Sequence, residues 1–178
     1  MALARQGVAP GRALSAGRDV KIAATLTLAR AGDTPRAKGA GRRTREGHPA
    51  NALIRLYWLP TINAAIELGK NNSSQALVDL GPATPYELGL ARTYINYLYS
   101  AYLRGQAYLL AHDGNAAAAE FQKLLDHPGI ALNFVTQALA HLQIARAWAM
   151  AGDTAKASVA SIRTSSISGK TPIPTSRS

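Results

Sequence analysis

Nine residues occur twice in this chain almost unchanged: residues 29–37 read ARAGDTPRA and residues 149–157 read AMAGDTAKA. Self-similarity of this kind constrains a fold more than any single motif, because a chain that repeats itself at a fixed distance folds as an array of like units. Weaker copies lie between the two, at 69–76 (GKNNSSQA) and 111–117 (AHDGNAA). The alanines closing the four copies, Ala37, Ala76, Ala117 and Ala157, follow in steps of 39, 41 and 40. A period near forty belongs to stacked helical hairpins. Each copy has an apolar stretch, then Gly beside Asp or Asn, then an alanine-rich stretch. Gly adopts the left-handed conformation that ends a helix, and the neighbouring Asp, Asn, Ser or Thr accepts from the free amides that start the next one.

The flanking residues carry helical spacing. Tyr97, Ala101, Tyr102, Gly105, Tyr108 and Leu109 fall three to four apart, as do Leu139, Leu142, Ala145 and Trp148. Ala117, Phe121, Leu124 and Leu125 share one face before His127, Pro128 and Gly129 stop the helix. Nothing alternates as a strand would. Gly105, Tyr108, Ala117, Phe121 and Pro128 also fit the tetratricopeptide pattern, with the proline one position early. Small residues in that pattern sit where paired helices approach closely, and aromatics fill the wider gaps. The expected fold is all-α: a tetratricopeptide-like helical repeat, or α-solenoid, of about four helix–turn–helix units with degraded ends. It spans 13–160, between a disordered N-terminus (1–12) and a disordered Ser/Thr-rich tail (161–178).

Composition narrows the chemistry. At 178 residues the chain suffices for one domain or a short array, and without cysteine it has no disulfide, thiolate zinc site or cysteine nucleophile. The net charge of +10 is unevenly placed: residues 1–50 carry +7, residues 158–178 carry +3, and 51–157 hold seven basic and seven acidic residues. A strongly basic chain invites a nucleic-acid reading. The dense run Arg42, Arg43 and Arg45 lacks interleaved aromatics, however, and the central body is neutral. No apolar stretch is long enough for a spanning helix, so a soluble, cytoplasmic protein is expected.

Several phrases carry a more specific likeness: 57–62 (YWLPTI), 65–68 (AIEL), 85–89 (PYELG), 102–108 (YLRGQAY), 120–129 (EFQKLLDHPG) and 138–147 (ALAHLQIARA). Together they resemble the C-terminal tetratricopeptide region of large bacterial, chiefly acidobacterial, serine/threonine protein kinases. The likeness covers roughly 13–38 and 48–160, and it implies a sensor or docking appendage. The kinase half has no counterpart: there is no Gly-rich loop, strand lysine, His-Arg-Asp loop or Asp-Phe-Gly. Two stretches depart from the likeness, 39–47 (GAGRRTREG) and the tail from about Ser161. Both are poor helix formers where the repeat calls for a second helix. Read as out-of-frame segments, they would make the chain a non-functional fragment of a longer gene.

No residue set points to catalysis, and neither an enzyme activity nor a cofactor is expected. His48, His112, His127 and His141 make no metal-ligand spacing. His127, beside Pro128, is placed to bond the last carbonyls of its helix. Gly169, Lys170 and Thr171 mimic the end of a phosphate loop, but Thr164 stands where the earlier glycine belongs. Glu67, Glu87 and Glu120 read as solvated helix faces. The aromatic series Tyr94, Tyr97, Tyr99, Tyr102, Tyr108 and Trp148 is the best recognition candidate. The repeat places Trp58, Tyr99, Tyr102, Gln106, Leu139, Leu142 and Arg146 on the inner, first-helix face, where such arrays hold an extended peptide or a partner helix. The expected role is a non-catalytic protein-interaction module with a protein or peptide ligand, no small-molecule substrate and no membrane span. Nucleic-acid association is the main alternative.

Overall fold

A computed structural model describes residues 17–89, 98–131 and 135–167. Tyr94 and Tyr97, the 1–12 segment and the Gly169 to Thr171 motif lie outside those residues. The described residues are helical, with no strand among them. In chain order the α-helices are α1 (Arg18–Arg30), α2 (Thr34–Glu46), α3 (Leu59–Gly69), α4 (Ser73–Leu80), α5 (Tyr99–Leu110), α6 (Gly114–Asp126), α7 (Pro128–Ala131), α8 (Val135–Met150) and α9 (Thr154–Ile167).

Four tight turns, linking α1 to α2, α3 to α4, α5 to α6 and α8 to α9, share one geometry. Each has a residue with positive φ: Gly32 (76°), Asn71 (59°), His112 (60°) and Gly152 (81°). The amide of the next residue reaches back to a carbonyl one turn inside the finished helix: Asp33 to Leu28, Asn72 to Glu67, Asp113 to Tyr108 and Asp153 to Trp148, all at 2.9–3.0 Å. The side chain of that same residue then caps the new helix, accepting from the backbone amides of Arg36, Gln75, Ala116 and Lys156 at 2.9–3.4 Å. One residue thus closes one helix through its backbone and opens the next through its side chain. The expected turn glycine is present in the first and last copies only. In the middle copies Asn71 and His112 take the left-handed position, and Gly69 and Gly114 serve elsewhere.

Gly114 shows what the displaced glycine does. A Cβ built there would lie 2.5 Å from the Ala147 carbonyl oxygen and 2.6 Å from the Ala151 nitrogen, so α6 starts in backbone contact with the end of α8. Gly105 plays the matching part between α5 and α6, where an added Cβ would meet the Phe121 ring at 2.6 Å. The tetratricopeptide-like spacing of Gly105, Ala117 and Phe121 is therefore a packing pattern: Ala117 and Phe121 are fully buried, and Tyr102 meets Phe121 edge-on at 5.8 Å.

Helices pack mainly on their neighbours in sequence. α1 lies on α2 and α3, α3 on α4 and α5, α5 on α6, α6 on α8, and α8 on α9. One apolar cluster runs from Leu26 and Ala29 through Ile62, Leu80, Leu103 and Phe121 to Ile144 and Ala147. A second, holding Ile22, Ile54, Tyr57, Trp58 and Ala83, sits where α3 begins. There the helix opens into a π turn, Ile54–Trp58, in which the Leu59 amide reaches Ile54. Pro60 follows at once, and its ring would crowd the carbonyl four residues back in a regular α-helix; the widened turn relieves that clash.

Two expectations need correction. The 39–47 stretch was expected to interrupt the helix, yet α2 runs through it to Glu46. Propensity loses here to packing: Ala37, Gly41 and Thr44 form one buried face, and a Cβ on Gly41 would come within 3.3 Å of Leu59 and 3.9 Å of Thr25. Glycine lets α2 lie close against both neighbours while Arg42, Arg43 and Arg45 stay exposed. Likewise α9 continues past Ser161 to Ile167.

The second correction concerns the acids. Glu87 and Glu120 are 3% and 8% exposed, far from the solvated faces expected of them. They flank Arg104, itself 7% exposed, whose Nη2 donates to Glu87 Oε1 at 2.6 Å and to the Thr84 hydroxyl at 2.8 Å. Its Nη1 donates to Glu120 Oε2 at 3.1 Å. Glu87 also accepts from the Ser100 hydroxyl (2.8 Å), the Ser100 amide donates to the Tyr57 hydroxyl (3.4 Å), and Lys123 pairs with Glu120 (2.7 Å). Burial works against the Arg104 charge, but the two carboxylates outweigh it and hold the guanidinium pKa above its usual range. The network ties the 3₁₀ turn Gly81–Tyr86 and its C-terminal flank to α5 and α6.

Removing Arg104 leaves two buried carboxylates short of their partner. Arg104→Met is expected to cost about 3–5 kcal/mol in urea unfolding, and Arg104→Met with Glu87→Gln and Glu120→Gln to cost clearly less. Gly114→Ala should lose about 2–3 kcal/mol, because the backbone it would strike can move only with its helix. His112→Gly should instead be neutral or stabilising, by up to about 1 kcal/mol, since glycine removes left-handed strain at some cost in unfolded-chain entropy.

Candidate peptide-binding groove

The first helices of three successive hairpins, α1, α3 and α5, come together around a cleft of about 310 Å³. Arg30 at the end of α1, Ala65 and Leu68 on α3, and Gln106 and Leu110 on α5 line it. Arg30 Nη1 donates to Gln106 Oε1 at 2.9 Å, joining residues 76 positions apart in sequence, and Gln106 Nε2 donates to the Tyr102 hydroxyl at 3.4 Å. Tyr99 lies beside Tyr102 with ring centroids 6.1 Å apart. The cleft pairs an apolar floor with the Arg30 cation and the Gln106 amide, and the two tyrosines stand behind Gln106 along α5. Such a surface can bind a chain through its backbone amides and a carboxylate, and it carries no nucleophile or acid–base pair.

The structure brings Tyr99, Tyr102 and Gln106 into one neighbourhood. Trp58 is 4% exposed and stands edge-on against Tyr57 at 4.7 Å, so it belongs to the core beneath α3 rather than to an open face. Tyr102 is equally buried and offers only its hydroxyl end, through Gln106. Leu139, Leu142 and Arg146 lie further along, on α8. Leu139 packs on the main apolar cluster, Leu142 is exposed, and Arg146 is exposed with its guanidinium 3.5 Å from Gln143. Of the other aromatics, Tyr108 is half-buried against the same cluster, and Lys156 sits 4.3 Å above the Trp148 ring. Arg30 was missed in the sequence because it stands inside the repeated nonapeptide, where it reads as part of the turn.

Among the described residues no group of three His, Asp or Glu side chains could hold a metal ion. His127 does bond its helix end, through Nδ1 to the Lys123 carbonyl at 2.9 Å, and His48 does the same to Thr44 at 3.1 Å. No described helix is long and apolar enough to cross a membrane.

Tyr99 supplies a titration probe of the cleft. Burial raises its pKa above the ordinary 10.0, the Arg30 charge pulls it partly back, and Tyr102 adds to the rise. The folded state therefore holds the Tyr99 proton more tightly than the unfolded chain, so this residue's stabilising contribution is complete below pH 10 and is lost as pH rises through the raised value. Urea midpoints measured from pH 9 upward should fall less steeply for Tyr99→Phe than for the wild type. Arg30→Ala should move the Tyr99 phenolate absorbance to still higher pH.

Comparison with the models of known families, with curated proteins and with solved structures gives no match, so the reading of this cleft rests on its own geometry.

Proposed function

We propose that the chain is a non-catalytic protein-interaction module, a tetratricopeptide-like solenoid that holds a peptide segment along the face formed by α1, α3 and α5. The observation that carries this reading is the fourfold turn. A left-handed residue followed by a capping side chain recurs at 32, 71, 112 and 152, in the period seen in the sequence, so successive hairpins present their first helices alike. Packing of each hairpin mainly on the next supports the same architecture, and a cleft lined by the first helices α1, α3 and α5 suits an extended ligand. A role as a docking or sensor region beside a kinase follows from the sequence resemblance alone and is part of this proposal.

Panning a random peptide library against the full chain tests the reading. Selected peptides should bind with little dependence on salt and lose affinity about tenfold or more in Arg30→Ala with Gln106→Ala, both substitutions at a polar surface that leave the core intact. Binding confined to nucleic acid, collapsing with a steep salt slope and indifferent to those substitutions, would replace it with the basic-protein reading.

A further inference from the structure

A groove of about 420 Å³ lies between α1 and α2 and is distinct from the cleft described above. Its lining includes Lys21, Ala24, Leu28, Arg36, Gly39 and Ala40. Adding 120 to each number gives His141, Ile144, Trp148, Lys156, Val159 and Ala160, all of which line the corresponding groove between α8 and α9. The offset equals the distance from Ala37 to Ala157, so the two grooves are the same place in two hairpins. They differ in one respect. The α8–α9 groove has a third wall, Gln122 and Leu125 from the preceding helix α6, whereas among the described residues α1 and α2 alone line the first. The second hairpin repeats the rule: a pocket lined by Asn63, Glu67, Gln75 and Asp79, each 39 residues beyond a lining residue of the first groove, is walled by Lys38 of the preceding α2. Among the described residues the α1–α2 groove thus lacks the side wall that a preceding helix supplies at the same place in two later hairpins.

We infer that this seat binds an acidic amphipathic helix of a partner protein. The floor is apolar, formed by Ala24, Leu28 and Ala40, and Gly39 leaves it open where Val159 stands in the later copy. Lys21, Arg36 and Arg43 stand around that floor, and among the described residues no carboxylate lines it; Arg36 also lies 3.5 Å from Asp33 outside the groove. Helix α2 as a whole carries five cations and one carboxylate. A helix with a leucine stripe and flanking Glu or Asp satisfies both features. The chain's own residues 1–16 fit poorly, having Arg5, Arg12 and Pro10 and no acid. A second copy fits no better through its exposed Val159 and Ile162, which neighbour Lys156.

The test uses the full chain and a labelled peptide with leucines at i, i+3, i+4 and i+7 and glutamates beside them, followed by fluorescence anisotropy. The same peptide with lysines in place of the glutamates is the control. The glutamate peptide should bind, weaken about tenfold or more in Lys21→Glu with Arg43→Glu, and be lost in Gly39→Leu, which fills the seat from a half-buried position whose nearest neighbour is the movable Arg43 side chain. Circular dichroism should show Gly39→Leu folded, and Arg30→Ala with Gln106→Ala should leave this binding unchanged, separating it from the α1–α3–α5 cleft. Equal binding of both peptides, or undiminished binding to Gly39→Leu, overturns the inference. So does binding that appears only after deletion of residues 1–16, which would make that segment the occupant. Self-association abolished by Gly39→Leu, with the glutamate peptide unable to compete, would assign the seat to a second copy instead.

Discussion

Each of the four described hairpins depends on one local event: a residue held at positive φ, followed at once by a side chain that caps the next helix. The left-handed residue reverses the chain within three positions, and the cap satisfies an amide that would otherwise be left without a partner as the helix starts. Because the same atoms do this at all four turns, paired helices meet at similar heights and their small residues fall opposite large ones. Ala37, Ala76 and Ala117 are fully buried one turn into each second helix, which is the position such a turn delivers to the partner. Apolar burial supplies the larger energy, but the turn decides which faces are buried.

The Arg104 network does a different job. Apolar contacts between hairpins are tolerant of sliding, whereas a guanidinium held by two carboxylates, a hydroxyl and the Leu80 carbonyl has one satisfactory geometry. It sits where the second hairpin meets the third, and Tyr57 and Ser100 extend it toward the base of α3. Two cations and two carboxylates meet there, so the site is neutral within itself and places no net charge in the core. Tyr99, Tyr102 and Gln106 lie on the same helix as Ser100 and Arg104, so anchoring α5 also fixes the candidate groove.

The period was legible in the sequence because it is written in consecutive residues: the nonapeptide at 29–37 and 149–157 specifies both helix end and helix start. What failed did so for physical reasons. Gly114 looked like a turn residue and is a contact residue, since a glycine beside Asp has the same local signature whether it supplies positive φ or room for another backbone. The 39–47 stretch looked unable to form a helix because propensity counts neighbours in sequence, and the benefit of Gly41 lies in Thr25 and Leu59, on other helices. Glu87 and Glu120 looked solvated because their partner is 17 and 16 residues away on a separate helix, a distance at which no spacing rule applies. Within the groove, Gln106 was found from repeat position, while Trp58 occupies the same face in sequence and is buried by the π turn before Pro60.

Helix α9 has no fully buried side chain among its described residues; Ala157 and Ala160 are only partly covered. Among the described residues it rests on α8 without a further layer outside it, while α8 is clamped from its other side at Gly114. Amide protons of α9 should therefore exchange with solvent through a local unzipping that stops at α8, leaving the interior hairpins undisturbed. Helices held mainly by contacts with their neighbours in sequence can come loose one at a time, so cooperativity is graded from the well-packed helices to the sparsely buried α9.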